Sequence, residues 1–292
     1  MKRFLTWTAV ALWGFSLLLI TLLIVASFLA ISRIKQQYVV DIPPVSIFVD
    51  DETLAHGKHI VSAISGCLEC HGKDLGGKAF LDMPLVGTVY ATNLTAGKGG
   101  IGAFYTDEDW VRALGHGVSA NKRMLLFMPS QHSRAYSTRD LNAVIAYMKT
   151  IPPVDRETPP PQLSATGLIL FGMGAMGTMA AEQIEHNVPP PAAPPPGATA
   201  DYGQYLVTIG NCQDCHGDDL SGGWITPTWP RAPSIRRSGA IQNWTLDDFV
   251  KAMRDGVRPD GTSVDIFMPW YLFGDMTDEE LTAIWLYLQA QS

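Results

Sequence analysis

The chain has 292 residues, which is long enough for about two domains of ordinary size. Its formal net charge of −7 excludes the basic surface expected of a nucleic-acid-binding protein. Hydrophobic residues make up 47% of the chain, a normal share for a globular protein with one membrane segment.

The first predicted element is a membrane anchor in residues 1–35. Residues 4–32 form an uncharged stretch of 29 residues, and a helix needs only about 20 apolar residues to cross a bilayer core. A cleaved signal peptide is the alternative, but its apolar part has about 7–15 residues, which is much shorter than the 29 residues here. Because basic residues flank both ends, charge does not decide the orientation.

A juxtamembrane connector, residues 36–51, precedes the first predicted globular unit, residues 52–152. An apolar-periodic helix over Leu54–Ile64 ends at Gly66 and leads directly to Cys67. The glycine-rich region 72–102 predicts irregular backbone. Two further helices follow, one from Thr106 through Leu114 closed by Gly115 and Gly117, and one over 141–149 capped from Ser137.

Residues 153–200 are predicted to be a proline-rich linker, since residues 152–200 hold 11 of the 20 prolines. Within this linker, residues 163–181 are apolar and uncharged. A second transmembrane helix here would place the segments on either side of it on opposite sides of the membrane. The sequence instead favours packing over the globular units or against a partner.

The second predicted unit, residues 201–292, repeats the order of the first. The helix beginning at Thr245 matches the one beginning at Thr106, and Met268-Pro269 matches Met128-Pro129. The offset between these parts is 139 or 140 residues, which indicates an internal duplication.

Each unit carries one Cys-x-x-Cys-His motif, and the second lies 145 positions after the first. The motif residues are Cys67, Cys70 and His71 in the first unit and Cys212, Cys215 and His216 in the second. Two thiols at this spacing can bond covalently to one haem edge while the adjacent imidazole binds the iron. A zinc knuckle, a redox-active pair and a disulfide also use close cysteines, but none of them requires the histidine. The sequence therefore predicts two covalently bound haem c groups.

The motifs also decide the topology, because haem c is attached outside the cytoplasm. A single-pass protein of the inner (cytoplasmic) membrane is predicted, with its N-terminus in the cytoplasm and both haem domains in the periplasm.

Met128 and Met268 are the predicted sixth iron ligands, because a thioether suits an electron-transfer haem. They lie 57 and 52 residues after the motif histidines, and the proline after each restricts the loop. His116 and His132 compete for the first iron only; Asp255 stands in the repeat where His116 stands here. His56 and His59 are predicted to be packing or solvent-facing residues.

A family resemblance lies in residues 84–95, Pro-Leu-Val-Gly-Thr-Val-Tyr-Ala-Thr-Asn-Leu-Thr, and in the run from Gly100 to Trp110. With the haem motifs and Met-Pro pairs, they resemble the multihaem cytochrome c subunits of membrane-bound alcohol, gluconate and related dehydrogenases. The resemblance covers residues 52–152 and 200–290 and implies an all-α fold, two tandem class I cytochrome c domains after one N-terminal transmembrane helix. This chain has two motifs where the family commonly has three, and its anchor is N-terminal.

The predicted function is single-electron transfer between a membrane donor complex and an acceptor on the periplasmic face, with no catalytic residues. The partner is a membrane-bound dehydrogenase, a quinol-oxidising complex or a terminal oxidase, with a soluble electron carrier as a further option. A dihaem peroxidase is the enzyme alternative, although two Met-Pro loops argue against the open iron that it needs. A haem subunit with a purely structural role is the third.

Overall fold

A computed structural model describes residues 2–224 and 230–291. Met1, residues 225–229 and Ser292, which belong to the predicted segments 1–35 and 201–292, lie outside the described residues. In chain order the helices are α1 (Lys2–Lys35), α2 (Asp51–His59), α3 (Cys67–His71), α4 (Asp107–His116), α5 (Ser130–Ser133), α6 (Thr138–Met148), α7 (Ala165–Gly172), α8 (Ala180–Gln183), α9 (Ala200–Ile209), α10 (Cys212–His216), α11 (Leu246–Asp255), α12 (Trp270–Phe273) and α13 (Asp278–Ala290). The strands are β1 (Lys78–Met83), β2 (Gly87–Ala91) and β3 (Gln162–Leu163).

Helix α1 contains the predicted apolar N-terminal segment. In the described part of the chain it is the one helix long and apolar enough to cross a membrane, over Arg3–Lys35. Most of its side chains are exposed, including Trp13 and Phe15. Such an apolar surface is stable only when lipid or another protein covers it.

Two helix pairs recur in the two halves of the chain: α2 packs on α6, and α9 packs on α13. A glycine makes each crossing possible. A Cβ on Gly57 would lie 1.9 Å from the Ala143 carbonyl oxygen, and a Cβ on Gly203 would lie 1.9 Å from that of Ala283. The two pairs are therefore in close backbone contact at equivalent points.

The predicted helix starts are confirmed for α4 and α11. Thr106 and Thr245 each form a capping box with the aspartate three residues later. The helices end at Gly117 and Gly256, both with φ of 65°. Gly115, predicted to help close α4, lies inside the helix instead, because the left-handed turn comes two residues later.

The all-α expectation is wrong, because the first half contains a three-stranded antiparallel sheet in the order β1-β2-β3. β1 and β2 form a hairpin within region 72–102, which was expected to be irregular. The alternating burial of β2, with Val89 and Ala91 facing the interior, is the pattern of a half-buried strand. β3 comes from the proline-rich segment and pairs with β2 at Gly87 and Thr88.

The proline-rich segment is held against the first half. The fully buried Asn93 side chain donates to the carbonyls of Val154 at 2.7 Å and Arg156 at 3.1 Å. The apolar part, residues 163–181, contains α7, which packs on α1. The expected packing of this part is therefore observed, but its main neighbour is the N-terminal helix.

The two halves share one hydrophobic core. Buried Ile60 and Ile64, in the π-helical segment that continues α2, belong to the same cluster as Leu206 of α9 and Leu281 of α13. The buried contact between the halves has no break, and both Cys-x-x-Cys-His segments pack against this one core.

Candidate haem-binding sites

The two motifs fold in the same way. Each forms a five-residue helix, α3 or α10, preceded by a left-handed residue: Gly66 with φ of 61° and Asn211 with φ of 58°. Glycine and asparagine are the residues that adopt this conformation at low cost. A glycine with positive φ follows each helix, at 72 and 217. The backbone thus presents both motifs in the same local geometry.

The two motif histidines are buried, and each has one ring nitrogen engaged by the backbone. His71 Nδ1 lies 2.8 Å from the Thr92 carbonyl oxygen, and His216 Nδ1 lies 2.8 Å from that of Pro233. Donation from Nδ1–H to a carbonyl fixes the tautomer and leaves Nε2 with a free lone pair. Burial lowers the pKa of both histidines, which favours the neutral form that binds iron. This is the arrangement expected of a metal-binding imidazole.

The thiol environment separates the haem interpretation from two alternatives. Burial raises the pKa of Cys67 and Cys212 to about 12, and that of Cys70 and Cys215 to about 11. Redox-active and zinc-binding cysteines need thiolates, which form in electropositive surroundings or on a metal. No group of three or more His, Cys, Asp or Glu side chains suited to a metal ion occurs in residues 2–224 and 230–291. Neutral, half-buried thiols fit covalent attachment to a bulky apolar group better than either alternative.

A cavity of about 440 Å³ lies beside the second motif. Its wall includes Cys212, Cys215 and His216 together with Met268, so the four residues predicted from the sequence surround one space. The rest of the wall is mostly apolar. The volume lies within the range of about 300–1,000 Å³ typical of cofactor pockets.

The cavity wall also offers polar groups suited to an acidic, planar cofactor. The Trp270 indole N–H is buried without a hydrogen-bond partner among the described residues, and its ring lines the cavity. A buried donor of this kind is costly unless a bound group accepts from it. Arg231 and Arg258 line the same cavity and provide positive charge for carboxylates. The residues present therefore fit a haem.

The two Met-Pro loops are alike in backbone and place. Pro129 has φ −81° and ψ 55°, and Pro269 has φ −78° and ψ 52°; each directly precedes a four-residue helix, α5 or α12. Met268 lines the cavity, whereas Met128 is half-buried against the shared core. Their ligand roles stay predictions, supported by this equivalence.

The histidines that competed for the first iron have other partners. His132 Nε2 lies 2.6 Å from Asp214 Oδ1 in the second half. His116 Nδ1 lies 3.0 Å from His186 Nδ1, and burial lowers its pKa to about 4. His56 and His59 are also engaged, by Asp140 and Glu280. Sequence reasoning missed these partners, which are 70 or more positions away along the chain.

Two contacts between the halves form an equivalent pair. His59 Nε2 donates to both carboxylate oxygens of Glu280, at 3.0 and 2.9 Å. The Tyr205 hydroxyl donates to Asp140 Oδ2. His59 and Tyr205 each lie two positions after the crossing glycine of their helix, and Asp140 and Glu280 each lie three positions after the N-cap of theirs. The first turn of α13 thus contacts α2 in the same way that the first turn of α6 contacts α9.

A second equivalent pair involves the haem motifs themselves. Glu69, between Cys67 and Cys70, accepts from the Tyr271 hydroxyl at 2.6 Å. Asp214, at the same place in the second motif, is the partner of His132. Each motif is therefore bonded to the short helix that follows the Met-Pro loop of the opposite half. Together the two pairs give the interface a pseudo-twofold arrangement.

Comparison with known proteins finds a family match in the first half of the chain and relatives that align over most of its length. Residues 52–148 match the family described as cytochrome C oxidase, cbb3-type, subunit III. The cytochrome c subunit of the quinone-dependent alcohol dehydrogenase of Gluconacetobacter polyoxogenes is 28% identical over 278 residues, covering 82% of this chain and 56% of the relative. The chain is similar to the cytochrome c subunits of dehydrogenases.

Other dehydrogenases have similar subunits. The cytochrome c subunit of gluconate 2-dehydrogenase from Pantoea cypripedii is 29% identical over 286 residues, with 82% of this chain and 60% of the relative covered. The cytochrome subunit of fructose dehydrogenase from Gluconobacter japonicus is 29% identical over 139 residues, or 44% of this chain and 28% of the relative. The chain thus spans little more than half the length of the first and second of these three relatives. The names confirm the predicted resemblance, and the family match implies covalently bound haem c.

Proposed function

We propose that the chain is a membrane-anchored dihaem cytochrome c that transfers single electrons on the periplasmic face of the inner membrane. Its proposed parts are an anchor at 1–35, a connector at 36–51, haem domains at 52–152 and 201–292, and the proline-rich segment 153–200 between them. The observation that supports this most directly is the recurrence of cysteines, histidine and Met-Pro loop in the same backbone setting in each half.

The chain's own residues have distinct tasks in this proposal. Cys67 and Cys70, and likewise Cys212 and Cys215, would hold a haem by thioether bonds, with His71 and Met128, or His216 and Met268, on its iron. When bound, each haem supplies a one-electron couple. The backbone carbonyls of Thr92 and Pro233 orient the histidines. The mostly apolar wall around the second motif would limit the contact of a bound haem with water, which raises its potential.

A membrane-bound dehydrogenase is the proposed electron donor. The support comes from the relatives, which are named as cytochrome subunits of alcohol, gluconate and fructose dehydrogenases. A terminal oxidase is the second candidate partner, because residues 52–148 match a family described by a cytochrome oxidase subunit. Both partners need the same kind of chain, an anchored carrier without its own substrate site.

The haem number is tested by removing the thiols of one motif at a time. In the double variant Cys212→Ala/Cys215→Ala the protein should carry one covalent haem, seen as a mass lower by one haem. The matched variant Cys67→Ala/Cys70→Ala should lose the other. Two haems retained in either variant, or an unchanged peptide mass in the wild type, would refute the proposal.

The optical spectrum of the purified wild type tests the electron-transfer role. Two six-coordinate irons should give low-spin spectra and no turnover of peroxide. A high-spin haem with peroxide turnover would favour the peroxidase alternative instead.

A further inference from the structure

The end of helix α1 is fixed to the segment that follows α7. The Arg33 guanidinium donates to Glu182 through Nε at 2.8 Å and Nη2 at 2.7 Å, and it lies 4.1 Å from the centre of the Phe171 ring. Its other bonds go to the carbonyls of Phe171 and Gly177. Because this half-buried ion pair is bidentate, it holds the Arg33 guanidinium and the Glu182 carboxylate in one relative orientation. The position of α1 in a membrane therefore sets the position of residues 165–178, here called the apolar foot.

Close backbone packing fixes the level of the foot along α1. A Cβ on Gly172 would lie 1.8 Å from the Ala26 carbonyl oxygen and 3.1 Å from the Ala30 nitrogen. Ala26 lies seven residues before Arg33, which corresponds to about 10 Å along a helix. The foot thus contacts the last two turns of α1 before its basic end.

The length of α1 relates that level to a bilayer. Its uncharged stretch of 29 residues measures about 43 Å as a helix, close to the roughly 40–45 Å of a bilayer with its headgroups. Arg33 then lies at the outer edge of the headgroups. Because each headgroup layer is about 6 Å thick, Ala26 lies a few ångströms inside the hydrocarbon.

The surface around this level is apolar and open. Phe28 is 68% exposed on α1, and Met173, at the end of α7, is 68% exposed on the foot. Residues 158–181 contain no charged side chain. Exposed cations Lys35, Lys122 and Arg123 lie just beyond Arg33, where Gln37 pairs with Arg123. Apolar residues below these cations match the boundary of a bilayer, where apolar side chains enter the acyl chains and cations lie among the headgroups.

Resting on the proposed membrane anchor, we infer that the apolar foot is a second membrane contact that lies in the outer leaflet, at the boundary between headgroups and acyl chains. It does not cross the bilayer, because α7 has eight residues and the following turn, with Gly174 and Gly177 at φ of 76°, is not helical. Irregular backbone is tolerated at the boundary and not in lipid-exposed hydrocarbon. The foot would fix the tilt and height of the globular part above the membrane.

The test uses single nitroxide labels on the full-length haem protein, in which the four native cysteines are bound to haem. Labelled variants Met173→Cys, Leu12→Cys and Phe104→Cys are reconstituted in vesicles of phosphatidylcholine and phosphatidylglycerol. Leu12 is 67% exposed on α1, and Phe104 is 65% exposed on the globular part, so the three sites are matched in exposure and in apolar character. Frequent collision of the nitroxide with oxygen indicates that the label lies in lipid. Frequent collision with a polar nickel chelate indicates that it lies in water.

The label at 173 should have an oxygen-to-chelate ratio between those at positions 12 and 104, and well above that at 104. If the label at position 12 lies in lipid and the label at position 173 lies in water, the foot is outside the membrane. The inference about the foot is then wrong, although the membrane anchor is still supported. If position 12 also reads as water, the anchor and the inference both fall.

Discussion

At the scale of single residues, the proposed iron ligands differ in how strongly their surroundings determine them. His71 and His216 are each fixed by one backbone carbonyl at 2.8 Å, so neither ring can rotate without losing a buried hydrogen bond. Met128 and Met268 have flexible thioether side chains and depend on their loops for position. The proline after each of these methionines removes a backbone donor and restricts the loop.

Replacing either methionine should remove one sulfur ligand. Met128→Leu and Met268→Leu keep the apolar volume, so stability should change by less than about 1.5 kcal/mol. Each variant should lose the sulfur-to-iron absorption band of one haem and lower its potential, because the thioether raises it. Visible spectroscopy and a redox titration measure both effects.

Met124→Leu is the matched control, because Met124 is only 7% exposed and packs with α1 and α7 in a separate apolar cluster. Its spectrum and potentials should equal those of the wild type. Loss of the sulfur band in this variant, with the band intact in Met128→Leu, would show that the ligand assignment is wrong.

The cysteines and histidine proposed for each haem stand out in the sequence because attachment chemistry fixes their spacing within five positions. The partners of those residues could not be predicted in this way. Nothing near Glu69 in the chain points to Tyr271, 202 positions later. Asp140 and Glu280 have one local role, as acidic residues in the first turns of α6 and α13. Their second role, as acceptors for Tyr205 and His59, depends on how two distant helices meet.

At the scale of elements, the glycines at the helix crossings are the most constrained positions of the two helix pairs. Gly57 and Gly203 bring α2 and α9 so close to α6 and α13 that no side chain fits between the backbones. Close packing of this kind is intolerant of added volume. Helix propensity acts in the opposite direction, since alanine is better than glycine in a helix by about 0.8–1.0 kcal/mol.

Gly203→Ala should destabilise the protein by about 1–3 kcal/mol, because the steric cost exceeds the gain in propensity. Gly57→Ala should behave in the same way. The adjacent, exposed residues supply matched controls: Gln204→Ala and Lys58→Ala should change stability by no more than about 0.5 kcal/mol. Thermal unfolding of the haem-loaded protein in detergent measures all four. Equal melting temperatures for Gly203→Ala and Gln204→Ala would contradict the crossing geometry.

The elements that sequence reasoning missed are those determined by distant partners. The hairpin of β1 and β2 lies in a glycine-rich region, and its strand signal is limited to the alternation in β2. The two-residue strand β3 forms only because it lies beside β2. By contrast, α4 and α11 have local start signals in their capping boxes, and their starts at Thr106 and Thr245 were predicted from the sequence.

At the scale of the whole molecule, the interface between the halves is pseudo-twofold and rich in carboxylates. In the described part of the chain, His59, Tyr205, His132 and Tyr271 each bond to an acidic residue of the opposite half, and the Ser137 N–H donates to the Tyr205 hydroxyl. A proline-rich segment alone acts as an extended, semi-rigid spacer and would not bring the halves together. The shared core and these contacts instead hold both Cys-x-x-Cys-His motifs in one arrangement, as electron transfer between two haems would require under the proposed function.

The His59–Glu280 contact should make the stability of this arrangement depend on pH. The Glu280 hydrogen bond raises the pKa of His59 above its ordinary 6.5. Burial of the Glu280 carboxyl raises its pKa. The hydrogen bonds from His59 and Thr277 lower it by more, so the pKa of Glu280 lies below its ordinary 4.5. The histidine therefore contributes stability that is complete below pH 6.5 and is lost as the pH rises through its folded-state pKa. The glutamate contributes above pH 4.5 and loses its contribution as the pH falls through its own folded-state pKa.

The contribution of the pair should consequently be largest between pH 4.5 and 6.5. In that window His59→Gln should cost about 1.5–3 kcal/mol, the usual contribution of a hydrogen bond to a charged group. The difference from wild type should shrink as the pH is raised to about 8.5, because neutral His59 keeps only the weaker bond. Tyr205→Phe removes the equivalent contact from a group whose pKa is raised, by burial and by Asp140, far above this range, so its cost should stay constant. Melting temperatures of both variants and the wild type across this pH range decide the matter: a pH-independent cost for His59→Gln would show that the pair is not charged in the folded protein.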